Sequence, residues 1–167
     1  VIKEIAAELG VNLQGIRIIN PKDSEELDNF CERFSLLRKV KGIQPEEARS
    51  IVTQPNYFGA MMVAMHQVDG LVSGTSDVSG SVLRPLFQII NVAPQQTTAS
   101  SCMILELDDT RFGQDGVLFM GDCGVMPHPS VEQLAEIAVS TAHLAHHLHG
   151  SRPRVAMLSY STKGSAT

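Results

Sequence analysis

The sequence has no tryptophan, two tyrosines and six phenylalanines. A core of useful size must therefore be built from Leu, Ile, Val, Met and Ala, which dominate the 43% hydrophobic fraction. Cysteine is scarce too. Cys31, Cys102 and Cys123 are odd in number and match no zinc-ligand spacing. That argues against a disulfide scaffold and for reduced, buried thiols in a cytosolic protein. Positive charge is in the minority, with 13 Lys and Arg against 18 Asp and Glu and a net charge of −5. The electrostatic term would oppose general nucleic-acid or membrane-surface binding, so neither partner is expected, although a local basic pocket for a phosphorylated cofactor stays compatible. Signal peptides, lipidation motifs and long apolar runs are missing as well, and a cytoplasmic location is expected.

The apolar pattern that is present alternates between helical and strand periods. Ile2 to Leu9 reads as a short helix ending near Gly10, and Pro21 opens a helical segment to about Lys41, with Leu27, Phe30, Phe34, Leu37 and Val40 on one stripe. Further helices are expected after Pro45, from Pro55 to Met65, from Ser79 or Ser81 to Ile90, and from Ser130 to His149. Ser130 and Gln133 form a possible capping box, and Phe58, Met61, Met62 and Met65 a core stripe rather than a cofactor site. Ile16 to Ile19, Gly70 to Gly74 and Val155 to Ser159 read as buried strands. Ser100 to Leu107 and Val117 to Asp122 read as two more, with an antiparallel pairing possible. Strands alternating with helices indicate an α/β fold with a mainly parallel sheet and flanking helices. The chain begins at Val1 inside a helical pattern and ends just after a strand, as expected of part of a longer protein.

Two loops carry the residues suited to phosphate chemistry. The first, Val68 to Ser76, ends in small and hydroxyl residues around Ser73 and Gly74, and Arg84 follows on the next helix. Glycine lets backbone N–H groups approach a phosphate, hydroxyls add donors, and a guanidinium offers a bidentate contact. The second is Ser159 to Ala166, where Lys163 would neutralise a phosphate and Ser161, Thr162 and Ser165 would donate to it. A plain turn with a capping serine explains either loop equally well from spacing alone. Neither contains G-x-G-x-x-G or a P-loop, which removes support for a nicotinamide cofactor. His143 and His147 share a helix face but lack the H-E-x-x-H glutamate, so no metal site is read there. Cys123 has no neighbouring His to activate it and reads as structural.

Five segments in register resemble the phosphate acetyl/butyryltransferase family. They are Asn56 to Val63, Val68 to Gly74, Leu83 to Ile90, Gly121 to Ala138 and Arg154 to Ser165, so the likeness covers nearly the whole chain. The S-Y-S-T-K-G-S ending, Ser159 to Ser165, is more similar to the acetyl branch than to the butyryl branch. One position departs: Asp77 stands where the family commonly has His.

The resemblance implies a two-domain α/β protein with its site in the cleft between domains. Residues 1–93 would form part of the first domain and 94–167 part of the second. It implies acetyl transfer between coenzyme A and phosphate by direct thiolate attack, with coenzyme A as co-substrate, no bound cofactor, and a homodimer. Arg84 matches an Arg implicated in coenzyme A binding. Ser73 and Gly74 match a cleft-lining loop on the cofactor side, and Ser161, Thr162, Lys163, Gly164 and Ser165 one on the substrate side. The family's catalytic Asp, its neighbouring Ser and a phosphate-binding Arg would lie beyond Thr167, so these 167 residues alone are expected to be inactive. Two other readings share the resemblance: a phosphate butyryltransferase, and a non-catalytic acyl-CoA-sensing domain of the kind attached to some malic enzymes.

Overall fold

The computed structural model describes residues 1–94 and 96–158. It divides into two compact units, Val1–Asn91 and Val92–Thr167.

The first unit is helical: α1 (Ile2–Glu8), α2 (Leu27–Leu37), α3 (Pro45–Val52), α4 (Pro55–Ala64) and α5 (Ser79–Ile89). Proline opens α3 and α4 at a position where its missing N–H would have had no helical partner. The long helix expected from Pro21 to Lys41 is broken into a 3₁₀ turn at Pro21–Asp23, α2, and a second 3₁₀ turn at Lys39–Lys41. The core gathers Leu27, Phe30 and Phe34 of α2, Ala48 and Val52 of α3, and Tyr57, Phe58, Ala60 and Met61 of α4, joined by Ile89 of α5. Four of the chain's eight Phe and Tyr residues meet here. Phe30 and Phe58 lie 5.0 Å apart in a tilted pair, and Phe34 meets Tyr57 edge-on at 5.7 Å. Met61 is fully buried, and Met62 and Met65 pack against the same cluster, as the helical spacing of the stripe required.

The second unit contains β1 (Cys102–Glu106), β2 (Val117–Gly121) and α6 (Val131–His149). The strands pair antiparallel, with Ile104 opposite Phe119. Ser130 accepts from the Gln133 backbone while Gln133 Oε1 accepts from the Ser130 backbone, completing the capping box. Ile137, only 2% exposed, is the buried contact of α6.

The expected mainly parallel sheet is not what the structure contains. Among the described residues the sheet is this one antiparallel pair. The segments Ile16–Ile19, Gly70–Gly74 and the described part of Val155–Ser159 are not strands. β-branched residues favour an extended backbone, but a strand exists only where a neighbour completes its hydrogen-bond ladder. No such ladder reaches these segments. Val72 and Leu158, expected in buried strands, are 101% and 81% exposed.

Truncating Phe34, which is fully buried, should cost about 3–5 kcal/mol in the intact protein, and Phe34→Leu clearly less. Denaturant unfolding of both variants against the parent measures the difference; equal, small effects would remove Phe34 from the core.

Candidate functional site

The best-organised polar cluster near a sequence-expected site residue lies in the first unit, where α4, the segment 70–78 and α5 meet. Close approach comes first. A Cβ on Gly59 would sit 2.8 Å from Leu71 Cδ1, so the bare backbone of α4 gives Leu71 its seat. One turn earlier on the same helix side, Asn56 Oδ1 accepts the Ser73 hydroxyl at 2.6 Å. Asn56 Nδ2 donates to Asp77 Oδ2 at 2.9 Å and to the Ser81 carbonyl at 3.3 Å. The loop between Ser73 and Asp77 is thus tied to α4 at both ends. Gly74, at φ +113°, adopts a backbone conformation that other residues rarely take.

Arg84 lies one turn beyond Ser81 on α5. Its neighbour Pro85 is fully buried while Arg84 itself is exposed. The Arg84 side chain has no hydrogen-bond or ion-pair partner among the described residues. Tyr57 Oη donates to Gln88 Oε1 at 3.0 Å, adding a second bond between α4 and the far end of α5. Asn56 thus links Ser73, next to Gly74, with Ser81, one turn before Arg84. What the described residues offer an anion there is the exposed guanidinium of Arg84 and the exposed backbone at Gly74, while the Ser73 hydroxyl donates to Asn56. Asn56 and Gly59 were quoted in the sequence only as parts of a matching segment. Their structural role has no local signal, because Asn56 bonds to residues 17, 21 and 25 positions away. The second expected loop, Ser161, Thr162, Lys163, Gly164 and Ser165, lies outside the described residues.

The second unit holds another polar centre of a different character. Asp122 accepts from the Ser101 backbone at 2.8 Å, from the Ser101 hydroxyl, and from the backbone N–H groups of Gly124, Val125 and Met126. Burial pushes this carboxyl up, but the hydrogen bonds from Ser101, Met126 and Gly124 outweigh it and hold the group well below the usual carboxylate range. All of its partners are donors within its own fold, so it organises the turn after β2 and leaves no lone pair aimed at a substrate. An open groove of about 470 Å³ also lies in this unit, between β2, α6 and the segment 151–158. Its walls are mainly apolar, including Leu118, Met120, Ile137, Ala142, Val155 and Met157. Its polar lining consists mainly of Thr141, His149, Arg152 and Arg154, and the segment beside it forms no ladder among the described residues.

The remaining sequence candidates separate in the same way. Cys31 and Cys102 are half-buried, and burial raises both thiols above their ordinary range. Cys123, expected to be buried, is exposed; it donates to the Met120 carbonyl at 3.1 Å because the turn held by Asp122 faces solvent. His146 Nδ1 lies 2.9 Å from the Ser151 carbonyl, beyond the end of α6. Among the described residues no group of three or more His, Cys, Asp and Glu could hold a metal ion, and no helix is long and apolar enough to cross a membrane.

Comparison with known proteins gives a consistent result. The family model described as phosphate acetyl/butaryl transferase matches residues 1–167. A phosphate acetyltransferase from Thermoanaerobacterium thermosaccharolyticum is 46% identical over 162 residues, which are 97% of this chain and 49% of the relative. A phosphotransacetylase structure from Streptococcus pyogenes matches with a TM-score of 0.83 and 34% identity over 99% of this chain and 49% of the other. The EutD phosphotransacetylase from Staphylococcus aureus gives a TM-score of 0.78 and 35% identity over 99% and 48%. The chain spans about half the length of these relatives.

The Asp122 network has a pH signature. A carboxyl held below its unfolded value, roughly 3.9, contributes stability that is complete above that value and is lost as pH falls towards the folded one. Asp122→Asn should therefore lose about 2 kcal/mol at neutral pH, with the deficit shrinking steadily below about pH 4. Denaturant unfolding of both proteins across that range is the check; a constant gap would show that the ionised carboxylate is not what holds the turn.

Proposed function

The chain belongs to the phosphate acetyl/butaryl transferase family, and we propose on that premise that its intact protein is a phosphate acetyltransferase. The observation that carries the reading is the 46% identity to a phosphate acetyltransferase across 97% of this chain. In the proposed reaction the thiolate of coenzyme A attacks the carbonyl carbon of acetyl phosphate. A C–S bond forms, the bond between the acyl carbon and the bridging oxygen breaks, and phosphate leaves with the electron pair, its P–O bond intact; the reverse direction returns the acetyl group to phosphate. The site must accept a thiol proton, stabilise an oxyanion and hold an anionic leaving group. Ser73, Gly74 and Arg84 are assigned to coenzyme A, and Ser161 to Ser165 to the acyl phosphate or phosphate. The catalytic base is unassigned within this sequence. A cytoplasmic homodimer completes the proposal.

The geometry supports the coenzyme A assignment through Arg84. It is an exposed guanidinium with no acidic partner among the described residues, in a chain of net negative charge. Coenzyme A carries several phosphates remote from its reacting thiol. A contact to one of them contributes equally to ground-state and transition-state binding, so it governs the Michaelis constant and not the turnover number.

In the intact protein, Arg84→Ala should raise the KM for coenzyme A by about one to two powers of ten, the worth of a charge-assisted hydrogen bond. The KM for acetyl phosphate and kcat should change far less. Steady-state kinetics with both substrates varied, on a variant whose circular dichroism matches the parent, decide the point. Equal changes in both constants would remove Arg84 from the cofactor site, and a panel of acyl-CoA substrates tests the acetyl preference in the same assay.

A further inference from the structure

Pro85 stands inside α5 and has no N–H. The Ser81 carbonyl, four residues earlier, therefore lacks its helical donor. Such a carbonyl is ordinarily left to water or becomes the point at which a helix bends. Here it is taken by a side chain from another helix: Asn56 Nδ2, at 3.3 Å. The other N–H of the same amide serves Asp77 Oδ2 at 2.9 Å, and its oxygen accepts the Ser73 hydroxyl at 2.6 Å. Each polar end of the amide is used. The orientation of the amide is set by its partners, because a carboxylate and a carbonyl only accept and must face the nitrogen.

These three bonds join the loop, α4 and the first turn of α5 at one point, in addition to the Leu71–Gly59 and Tyr57–Gln88 contacts. One end of the loop is held at Ser73 and the other at Asp77, and the first turn of α5 is held at Ser81, one turn before Arg84. Asn56 itself is half-buried on α4, whose next two residues, Tyr57 and Phe58, are in the core. A rigid helix thereby fixes an exposed loop and an exposed arginine relative to each other. Asp77 supplies the carboxylate that takes one N–H of the amide.

We infer that Asn56 is a positioning residue for coenzyme A, presenting the Ser73–Gly74 loop and Arg84 as one preformed surface; the inference rests on the assignment of Arg84 to that cofactor. Ligand phosphates are bound more weakly when their partners must first be ordered, so loosening the clamp lowers affinity without touching the reacting atoms.

The test is an exchange of partners in the intact protein. Asn56→Asp sets two carboxylates against each other and strips the Ser81 carbonyl of its donor. It should raise the KM for coenzyme A about tenfold, the size of one charge-assisted bond, with the KM for acetyl phosphate and kcat nearly unchanged. Adding Asp77→Asn restores a donor–acceptor pair with the roles reversed, and the double variant should recover part of the lost affinity, the Ser81 carbonyl still lacking its donor. Asp77→Ala is the second line: its side chain is exposed, the core is untouched, and the KM for coenzyme A should still rise about threefold, the worth of an ordinary hydrogen bond. An unchanged coenzyme A constant in Asn56→Asp, or a double variant no better than the single, would overturn the inference. If Asn56→Asp does not fold, an unchanged constant in Asp77→Ala overturns it. Arg84→Ala run in parallel separates the two ideas. A normal coenzyme A constant there sinks the cofactor assignment and this inference with it, whereas a raised constant beside inert Asn56 and Asp77 variants sinks this inference alone.

Discussion

The packing of α4 is the constraint on which the first unit depends. One side of this ten-residue helix carries Phe58, Ala60 and Met61 into the core, against the aromatic residues of α2 and the small face of α3. The other carries Asn56 and Gly59, which receive the segment leading to the candidate site. Burial of the first side anchors the second. Each large apolar side chain removed from water contributes about 1.5–3 kcal/mol, whereas a single neutral hydrogen bond contributes about 1 kcal/mol. The apolar side therefore holds the helix in place, and the polar side uses that fixed position to arrange an exposed loop. With no tryptophan and few other aromatics, the chain concentrates Phe30, Phe34, Tyr57 and Phe58 where this anchoring occurs.

Pro85 shows how a locally unfavourable residue is accommodated. In a helix interior proline removes a hydrogen bond and crowds the preceding turn, at a cost of about 3 kcal/mol or more. Two features of the structure offset this. The ring is fully buried, which recovers apolar burial, and the Ser81 carbonyl it leaves without a donor is met by Asn56. Neighbouring Arg84 is left exposed on a helix that is bound to α4 at both ends, through Ser81 and through Gln88. Local cost and tertiary gain meet at the same place, which is where strained features tend to collect in functional regions.

The helices were legible because their signals are local. Prolines at the starts of α3 and α4, the Ser130–Gln133 box and the Met stripe each depend on residues within one or two turns. The β1–β2 pair was legible for a related reason, since its strands are close in sequence and joined by a turn-rich loop. The wider sheet was not. Ile16–Ile19, Gly70–Gly74 and Val155–Ser159 have the residue types of strands, but strand formation is decided by a neighbour, and composition says nothing of whether one is present. The candidate site divides along the same line. Ser73, Gly74 and Arg84 are proposed from a loop and the helix after it, whereas the bonds of Asn56 span two helices and a loop and exist only once they have packed.

Asp122 and Asn56 illustrate two uses of a fully satisfied polar side chain. Asp122 is charged, collects donors from the turn after β2 and from Ser101 just before β1, and ties that turn to the neighbouring strand. Asn56 is neutral, uses weaker bonds, and distributes them over three separate pieces of chain. A charge in its place would favour one partner at the expense of the others, since a carboxylate only accepts and an ammonium only donates. An amide carries both functions on one planar group, so it can hold a hydroxyl, a carboxylate and a carbonyl together. The demand for a donor and an acceptor at one point explains an asparagine at this position on physical grounds: the Ser81 carbonyl freed by Pro85 and the Asp77 carboxylate need donors, the Ser73 hydroxyl needs an acceptor, and none of them is close to Asn56 in the sequence.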